Sequence, residues 1–450
     1  LSRSGTSDTE SAYSEAGSDD EDAAGGPSAA AAWLLRDKEL ESAIKNLQYS
    51  SSVVYNNDSS AKHNSTTEFE EWIVRISSSV DRKLLHMLEA KFHLTTHLAA
   101  LKNFILLGQG DFVLCLMDNM GQELKKRANQ LYRHNLTGLL EGALRSSNAQ
   151  YEPSFILDRI GIRLLEAQPG DTGWEVFSLD YAVDFPLSAI VHANALTKYH
   201  AMFHMLWRLK RVEWVLADSY EQLMEFKRRQ GLLVLPKLLP VIHKCTMYRS
   251  SMLHVVNNLS AFLMFEVLET SWLKLQDGIK NCANNLDDII SLHDSYLDEI
   301  LTKSMLTPAY EMLNMQIQQV IQTVLRFCGL EEALLFDANT SMQRKRSQKI
   351  DMESSSISAG TWGVIDESVL SNPVGTVEGV PSYVITRLDD AYDDFCEQLT
   401  TLMTMLNEQV GSDHIFVVMY EVYISYYLFL DIYIYILHCR VVRLVRYCAS

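Results

Sequence analysis

Two pairs of histidines have a spacing that could hold a metal ion. His93 and His97 are four residues apart, as are His200 and His204, so on a helix each pair would share one face. Neither pair has the glutamate of the His-Glu-x-x-His motif, nor an obvious third ligand. We therefore favour packing or surface histidines, and the sequence predicts no metal site.

Motifs for catalysis or cofactor binding are missing from the sequence. It holds no phosphate-binding loop that ends in Gly-Lys-Ser/Thr and no Gly-x-Ser-x-Gly. Gly108 and Gly110 flank Gln109, but the third glycine and the preceding strand of a dinucleotide fingerprint are absent. His293 lies on the apolar stripe of its predicted helix, which indicates a core histidine rather than a catalytic base. The sequence thus predicts a protein that is not an enzyme and binds no cofactor.

Two arginines suggest a different kind of site, one for a charged partner. Arg208 and Arg211 are three residues apart and lie off the apolar stripe that runs from Tyr199 to Leu223. They could form part of a docking patch for an acidic protein. The alternative, which we favour, is a solvated charged face with local ion pairs, for example to Glu213.

The overall charge limits the partners that the chain can attract. Its 450 residues include 39 Lys and Arg against 57 Asp and Glu, a net charge of −18. Nucleic-acid binding needs clustered basic residues, so the acidic balance disfavours a nucleic-acid partner. The seven cysteines form no Cys-x-x-Cys pair, which favours reduced thiols in the cytosol over a disulfide framework.

The elements that would position these residues are mostly helices. Gly and Pro, which both interrupt helices, are scarce at 20 and 9 of 450 residues. Apolar residues recur at three- and four-residue steps along most of residues 67–411, which is the helical period. Helices bury such stripes by packing into bundles, so we predict an all-α fold, an elongated stack of helical bundles.

One stretch departs from the helical period. Phe177, Leu179 and Tyr181 alternate with Ser178 and Asp180, which is the period of a half-buried strand. A turn-rich segment precedes them, so we predict one small β-hairpin at about residues 162–183.

A turn separates two of the predicted helices. Gly108, Gln109, Gly110 and Asp111 interrupt an apolar helical pattern, and a new helix is predicted from about Phe112. Asp111 suits the N-cap position of that helix. Glycine at such turns commonly supplies a positive φ, which would be a structural reason for both glycines.

Composition divides the chain into three parts. Residues 1–66 are predicted to form an acidic, Ser- and Ala-rich disordered linker with a short helix, residues 67–411 a helical domain, and residues 412–450 an apolar, Tyr-rich tail. Within the helical domain, the Ser-rich residues 337–382 are predicted to form a polar loop. Because the sequence begins with Leu1 rather than Met, we also expect it to be a fragment of a longer protein.

Several blocks of the sequence occur together, in this order, in one known family. They are Leu106–Phe112, Leu131–Gly138, Arg163–Glu166, Pro169–Trp174, Val176–Tyr181, Leu206–Arg208, Phe265–Glu269 and Trp362–Val364. The chain thereby resembles the gamma-tubulin complex components over roughly residues 69–411.

The resemblance implies a scaffold subunit. Members of this family are rod-like stacks of helical bundles that pack side by side with other components, and their C-terminal domain binds gamma-tubulin. Several gamma-tubulins held in a ring then template a microtubule, which places the family in the cytoplasm and cytoskeleton, at microtubule-organising centres such as the spindle pole. A packing role for Trp174 and Tyr181 is favoured over direct contact. The candidate partner-binding residues are Gly108, Gln109, Gly110, Asp111, Trp174, Asp180, Arg208 and Arg211.

The resemblance ends near the C-terminus. After His414 the family continues with a helix that carries Phe-Arg-Leu-Asp-Phe-Asn, whereas residues 415–439 are apolar and rich in tyrosine. Glu421 and Asp431 offset most of the gain from inserting this segment into a membrane, so we do not expect a membrane partner. We favour a wrongly predicted or alternative end of the reading frame. The alternative function is a helical-rod subunit of a membrane-tethering complex that this tail would anchor.

Overall fold

The computed structural model describes residues 61–230, 238–358, 376–377 and 380–409. Contacts between Cα atoms divide the chain into two units, residues 1–87 with 284–286, and residues 88–283 with 287–450. The described part of the first unit consists mainly of helix α1, Ala61–Ala90, as far as Met87. All the candidate residues lie in the second unit.

The second unit begins with helices and one hairpin. The helices are α2 (Leu94–Ala100), which continues into a π-helical segment (Leu101–Ile105), α3 (Gly110–Leu124), α4 (Arg133–Ser146) and α5 (Ser154–Leu157). Strand β1 (Ile160–Leu164) then pairs antiparallel with β2 (Phe177–Tyr181), and helix α6 (Gly173–Val176) lies in the loop between them.

Longer helices follow the hairpin. They are α7 (Ala193–Gln230), α8 (Leu239–Ala261), α9 (Thr270–Asn281), α10 (Leu286–Lys303), α11 (Glu311–Ser358) and α12 (Ser382–Gln409). A π-helical segment, Phe262–Glu269, joins α8 to α9. Two-residue strands, β3 (Thr376–Val377) and β4 (Val380–Pro381), pair just before α12. The predicted all-α class with one small hairpin is confirmed.

Helix α7 supplies much of the core because it contacts α8, α11 and β2. Its predicted apolar stripe from Tyr199 to Leu223 is buried, except that Tyr220 is 45% exposed. The guanidinium carbon of Arg249 lies 5.6 Å from the Tyr220 ring centre, so a cation covers one face of this ring instead of an apolar neighbour. The hairpin packs on the same helix through the fully buried Phe177, whose ring centroid lies 4.8 Å from that of Trp207.

The predicted polar loop at residues 337–382 is wrong for its first part, because α11 continues to Ser358. No Gly or Pro occurs between Gly329 and Gly360, so nothing in this stretch breaks a helix. Ala338 and Met342 are buried and extend the apolar stripe at helical spacing. A polar composition fits a solvated helix face as well as a loop, which is why composition alone misleads here.

Helix α1 begins at Ala61, so the last residues assigned to the linker, 61–66, are helical. Residues 61–66 include Asn, Ser and Thr, which occur at helix N-termini as well as in loops. Residues 1–60, 359–375 and 410–450, with the short helix of the linker and the tail, lie outside the described residues.

Candidate partner-binding site

The Gly108–Asp111 turn follows the first π-helical segment. The backbone N–H of Gly108 donates to the Lys102 carbonyl at 3.2 Å, which closes the end of that segment. The positive φ, 54°, belongs to Leu107 rather than to a glycine, so the expected reason for the glycines is wrong. Glycine is required at position 108 because the Lys102 backbone lies close to it. A Cβ at this position would be 3.0 Å from the Lys102 carbonyl oxygen.

Asp111 does not cap the helix that follows this turn. Helix α3 begins at Gly110 with Gln109 at its N-cap, so the predicted N-cap is wrong. Asp111 lies in the first turn, where the helix dipole favours a carboxylate. Its Oδ2 accepts the backbone N–H of Asn148 at 2.7 Å, and this hydrogen bond lowers the pKa of Asp111. Asp111 thus ties the start of α3 to the segment after α4.

Trp174 and Tyr181 anchor the hairpin. Trp174 is 5% exposed, and its ring centroid lies 5.6 Å from those of both Trp207 and Trp214. Tyr181 is 2% exposed, and its hydroxyl lies 2.6 Å from Nδ1 of His97. The predicted packing role of both side chains is confirmed. Trp174 therefore presents little surface to a partner.

Arg211 is held in place by helix α6. Its Nη1 lies 2.5 Å from Oε1 of Glu175, and Glu175 also completes a capping box with Thr172. Although burial opposes its ionisation, the hydrogen bonds from Thr172 and Arg211 lower the pKa of Glu175. The expected ion pair with Glu213 is wrong, since Glu213 lies 2.7 Å from Lys210.

Arg208, Arg211 and Trp174 line one groove of about 710 Å³. Helices α11 and α12 contribute to its lining. Eight residues of α11 line it, and four of them follow one another at steps of four, three and four residues: Met315, Gln319, Gln322 and Arg326. Asp394 of α12 also lines it and forms an ion pair with Arg326. The fold thus brings three of the candidate residues to one surface.

Asp180 lies on the hairpin and contacts α7 instead. Its Oδ1 lies 3.5 Å from Nε2 of His200, and this hydrogen bond lowers the pKa of Asp180. His204 lines the groove with Arg208, and burial lowers the pKa of His204 to about 4. The members of this histidine pair therefore have different surroundings, which supports the packing interpretation.

His293 is a core histidine, as the apolar stripe predicts. It is fully buried, and its Nε2 lies 3.1 Å from the hydroxyl of Tyr199. Burial lowers its pKa to about 4, so the imidazole is neutral at pH 7. In the neutral form one ring nitrogen can accept the Tyr199 O–H, which explains how a polar side chain fits this position.

The Gly108–Asp111 turn borders a second groove. Two adjoining pockets of about 530 and 460 Å³ share Gly108, Lys210, Glu213 and Met264. Two large apolar side chains lie exposed in their linings, Leu114 at 62% and Phe265 at 67%. We call this surface the turn groove.

The turn groove lies next to both π-helical segments. An ion pair between Lys102 and Glu269 joins the two segments, and both side chains line the pocket beside Phe265. π-Helical turns are rare and occur often at functional sites. The combination of irregular helix and exposed apolar side chains marks this surface as a candidate protein contact.

The sequence analysis missed a buried ion pair. Arg249 of α8 is 3% exposed, Glu331 of α11 is fully buried, and the two form a salt bridge. Ser219 of α7 donates to Oε2 of Glu331 at 2.5 Å. The triad joins three helices. A charged residue at an apolar position of a helical stripe would have been its only sequence signal.

The chain is similar in sequence to a known protein family and to several of its members. Residues 94–426 match the family model described as gamma tubulin complex component C-terminal. The gamma-tubulin complex component 3 homolog of Xenopus laevis is 39% identical over 332 residues, 72% of this chain and 36% of that protein. Component 3 of Homo sapiens is 34% identical over 331 residues, again 72% of this chain and 36% of the relative.

A third relative has a different name. Spindle pole body component 98 of Dictyostelium discoideum is 37% identical over 269 residues, 59% of this chain and 32% of that protein. The chain spans about a third of the length of these curated relatives. The family match begins at residue 94 rather than 69 and extends to residue 426, beyond the predicted domain end at residue 411.

Proposed function

Because the chain belongs to the family of gamma-tubulin complex components, we propose that it is a non-catalytic scaffold subunit that binds gamma-tubulin and supports microtubule nucleation. The match of residues 94–426 to the C-terminal part of this family carries the proposal. It includes the turn, the hairpin and helices α7 to α12. The names of the relatives support assembly with other components and a location at the spindle pole or another microtubule-organising centre.

The turn groove is the proposed gamma-tubulin contact. Protein interfaces are built around large apolar side chains that become buried in the complex. Leu114 and Phe265 are exposed in the free chain, and each lines one of the two pockets that share Gly108. The candidate residues Gly108, Gln109, Gly110 and Asp111 would then shape the contact rather than supply its energy.

Co-elution of the purified chain with gamma-tubulin on a sizing column tests the function. We expect a stable one-to-one complex, and separate elution of the two proteins would contradict the binding role. Leu114→Ser and Phe265→Ser should each weaken binding by about tenfold or more, as truncation of an interface anchor does.

Phe336→Ser is the matched control for the contact surface. Phe336 is 69% exposed on α11, nearly the same as Phe265, but it lines neither pocket of the turn groove. We expect this variant to bind as the unmodified chain does. If all three variants co-elute equally well, the function stands and the turn groove is not the contact.

The tethering alternative has one observation in its favour. Helix Leu239–Asn281 is long and apolar enough to cross a membrane. However, 56% of its most apolar window is buried inside the protein, which is usual for a core helix. The burial of this helix therefore favours the scaffold role over its insertion into a membrane.

A further inference from the structure

The groove between α7, α11 and α12 contains one cation, Arg208, that forms neither an ion pair nor a hydrogen bond among the described residues. Arg208 is exposed there. The other two arginines in the lining are paired, Arg211 with Glu175 and Arg326 with Asp394. His204 adds no charge at pH 7, since burial lowers its pKa to about 4.

This local charge is opposite in sign to that of the whole chain. The lining holds three arginines against two carboxylates, an excess of one positive charge on a molecule whose net charge is −18. A guanidinium binds a carboxylate through two parallel hydrogen bonds, so a single free Arg208 suits a single acidic side chain. Nucleic acid would need several such cations along its backbone.

Two exposed side-chain amides of α11 can form hydrogen bonds with a polypeptide backbone. Gln319 and Gln322 of α11 are exposed in the lining, and their side-chain amides make no hydrogen bond within the described part of the chain. A primary amide donates and accepts, as a peptide group does, so the two can pair with an extended backbone. Met315, which is 45% exposed, adds an apolar surface to the lining.

We propose that this groove binds an acidic segment of a partner polypeptide, with a carboxylate on Arg208 and the backbone on Gln319 and Gln322. A volume of about 710 Å³ holds a few residues of such a segment. The inference does not depend on gamma-tubulin binding, because the groove includes neither the Gly108–Asp111 turn nor Leu114 and Phe265.

Fluorescence anisotropy of a short labelled oligoglutamate peptide, titrated with the full chain at low ionic strength, tests the proposal. We expect saturable binding that added salt weakens and no comparable binding of an oligoglutamine peptide of the same length. The Arg208→Gln variant should bind about tenfold more weakly, which corresponds to the loss of a charge-assisted hydrogen bond. Gln322→Leu should weaken binding about threefold by removing a backbone partner.

Arg228→Gln is the matched control. Arg228 is exposed on the same helix but does not line the groove, so its loss should change affinity by less than about twofold. Three results would overturn the proposal: no binding of oligoglutamate, equal binding of oligoglutamine, or unchanged affinity in Arg208→Gln. Because Arg208 is exposed and unpaired, its variant is expected to fold normally.

Discussion

At the scale of single residues, a side chain's partner decides whether it is structural or available. Arg211 and Arg208 are three positions apart, yet Arg211 is held by Glu175 while Arg208 has no ion-pair partner among the described residues. Arg249 is the opposite extreme, since it is buried against Glu331. Three arginines on helices thus have three different roles, because a charge is tolerated in the interior only when it is paired.

Replacement of Glu331 by Ala should destabilise the protein strongly. The change leaves the Arg249 guanidinium buried without a counter-charge, which typically costs about 3–5 kcal/mol. Unfolding in urea, followed by circular dichroism, would measure the change in the free energy of unfolding. A double variant, Arg249→Met with Glu331→Leu, removes both charges and should recover most of that loss. A loss below about 1 kcal/mol in the single variant would show that the pair contributes no more than an exposed ion pair does.

At the scale of elements, the groove depends on a very short helix. Helix α6 spans Gly173–Val176, and a helix of this length has no stability of its own. The Thr172 capping box starts it, and the Gly173 N–H donates to the Lys126 carbonyl at 2.9 Å. Gly173 lies so close to α3 that a Cβ would approach the Leu124 Cα to 2.9 Å. Packing and capping together therefore position Glu175 against Arg211.

The Thr172→Ala variant should be less stable by about 1 kcal/mol, the usual cost of losing an N-cap side chain. The midpoint of urea unfolding would report it. Thr137→Ala serves for comparison, since among the described residues the Thr137 hydroxyl bonds only to the Arg133 carbonyl of its own helix. That change should stay within about 0.5 kcal/mol. Equal effects of the two substitutions would mean that the capping box does not stabilise α6.

At the scale of the whole molecule, charge and burial bear on where the chain resides. The net charge of −18 offers no general attraction to anionic lipid surfaces. Among the described residues, the continuous helix Leu239–Asn281 is long and apolar enough to cross a membrane, but 56% of its most apolar window is buried inside the protein. Both features favour the proposed scaffold role over the membrane-tethering alternative.

Flotation with phospholipid vesicles in a density gradient would test this. We expect the full chain to stay in the dense fractions, because more than half of the apolar window in Leu239–Asn281 is already buried by protein. Removal of residues 415–450 provides the matched variant. Flotation of the full chain but not of the shortened one would identify the tail as an anchor and favour the tethering alternative. Flotation of both would mean that the described helices themselves bind the membrane.

Patterns among neighbouring residues are enough to predict much of the secondary structure and the family of this protein. The helical period from Tyr199 to Leu223, the alternation from Phe177 to Tyr181 and the ordered family blocks are properties of neighbouring residues. They therefore predicted α7, strand β2 and the family correctly. Local patterns failed at residues 337–358, because the polar composition predicted a loop where α11 continues.

Only the tertiary structure decided which charges meet. Arg211 pairs with Glu175 and Arg249 with Glu331, and the members of each pair are far apart in sequence. Glu213, which is two residues from Arg211, forms an ion pair with Lys210 instead. Such pairs depend on how helices pack, and packing brings together positions that no local period relates. For the same reason, the groove that isolates an unpaired Arg208 is visible only once α7, α11 and α12 are assembled.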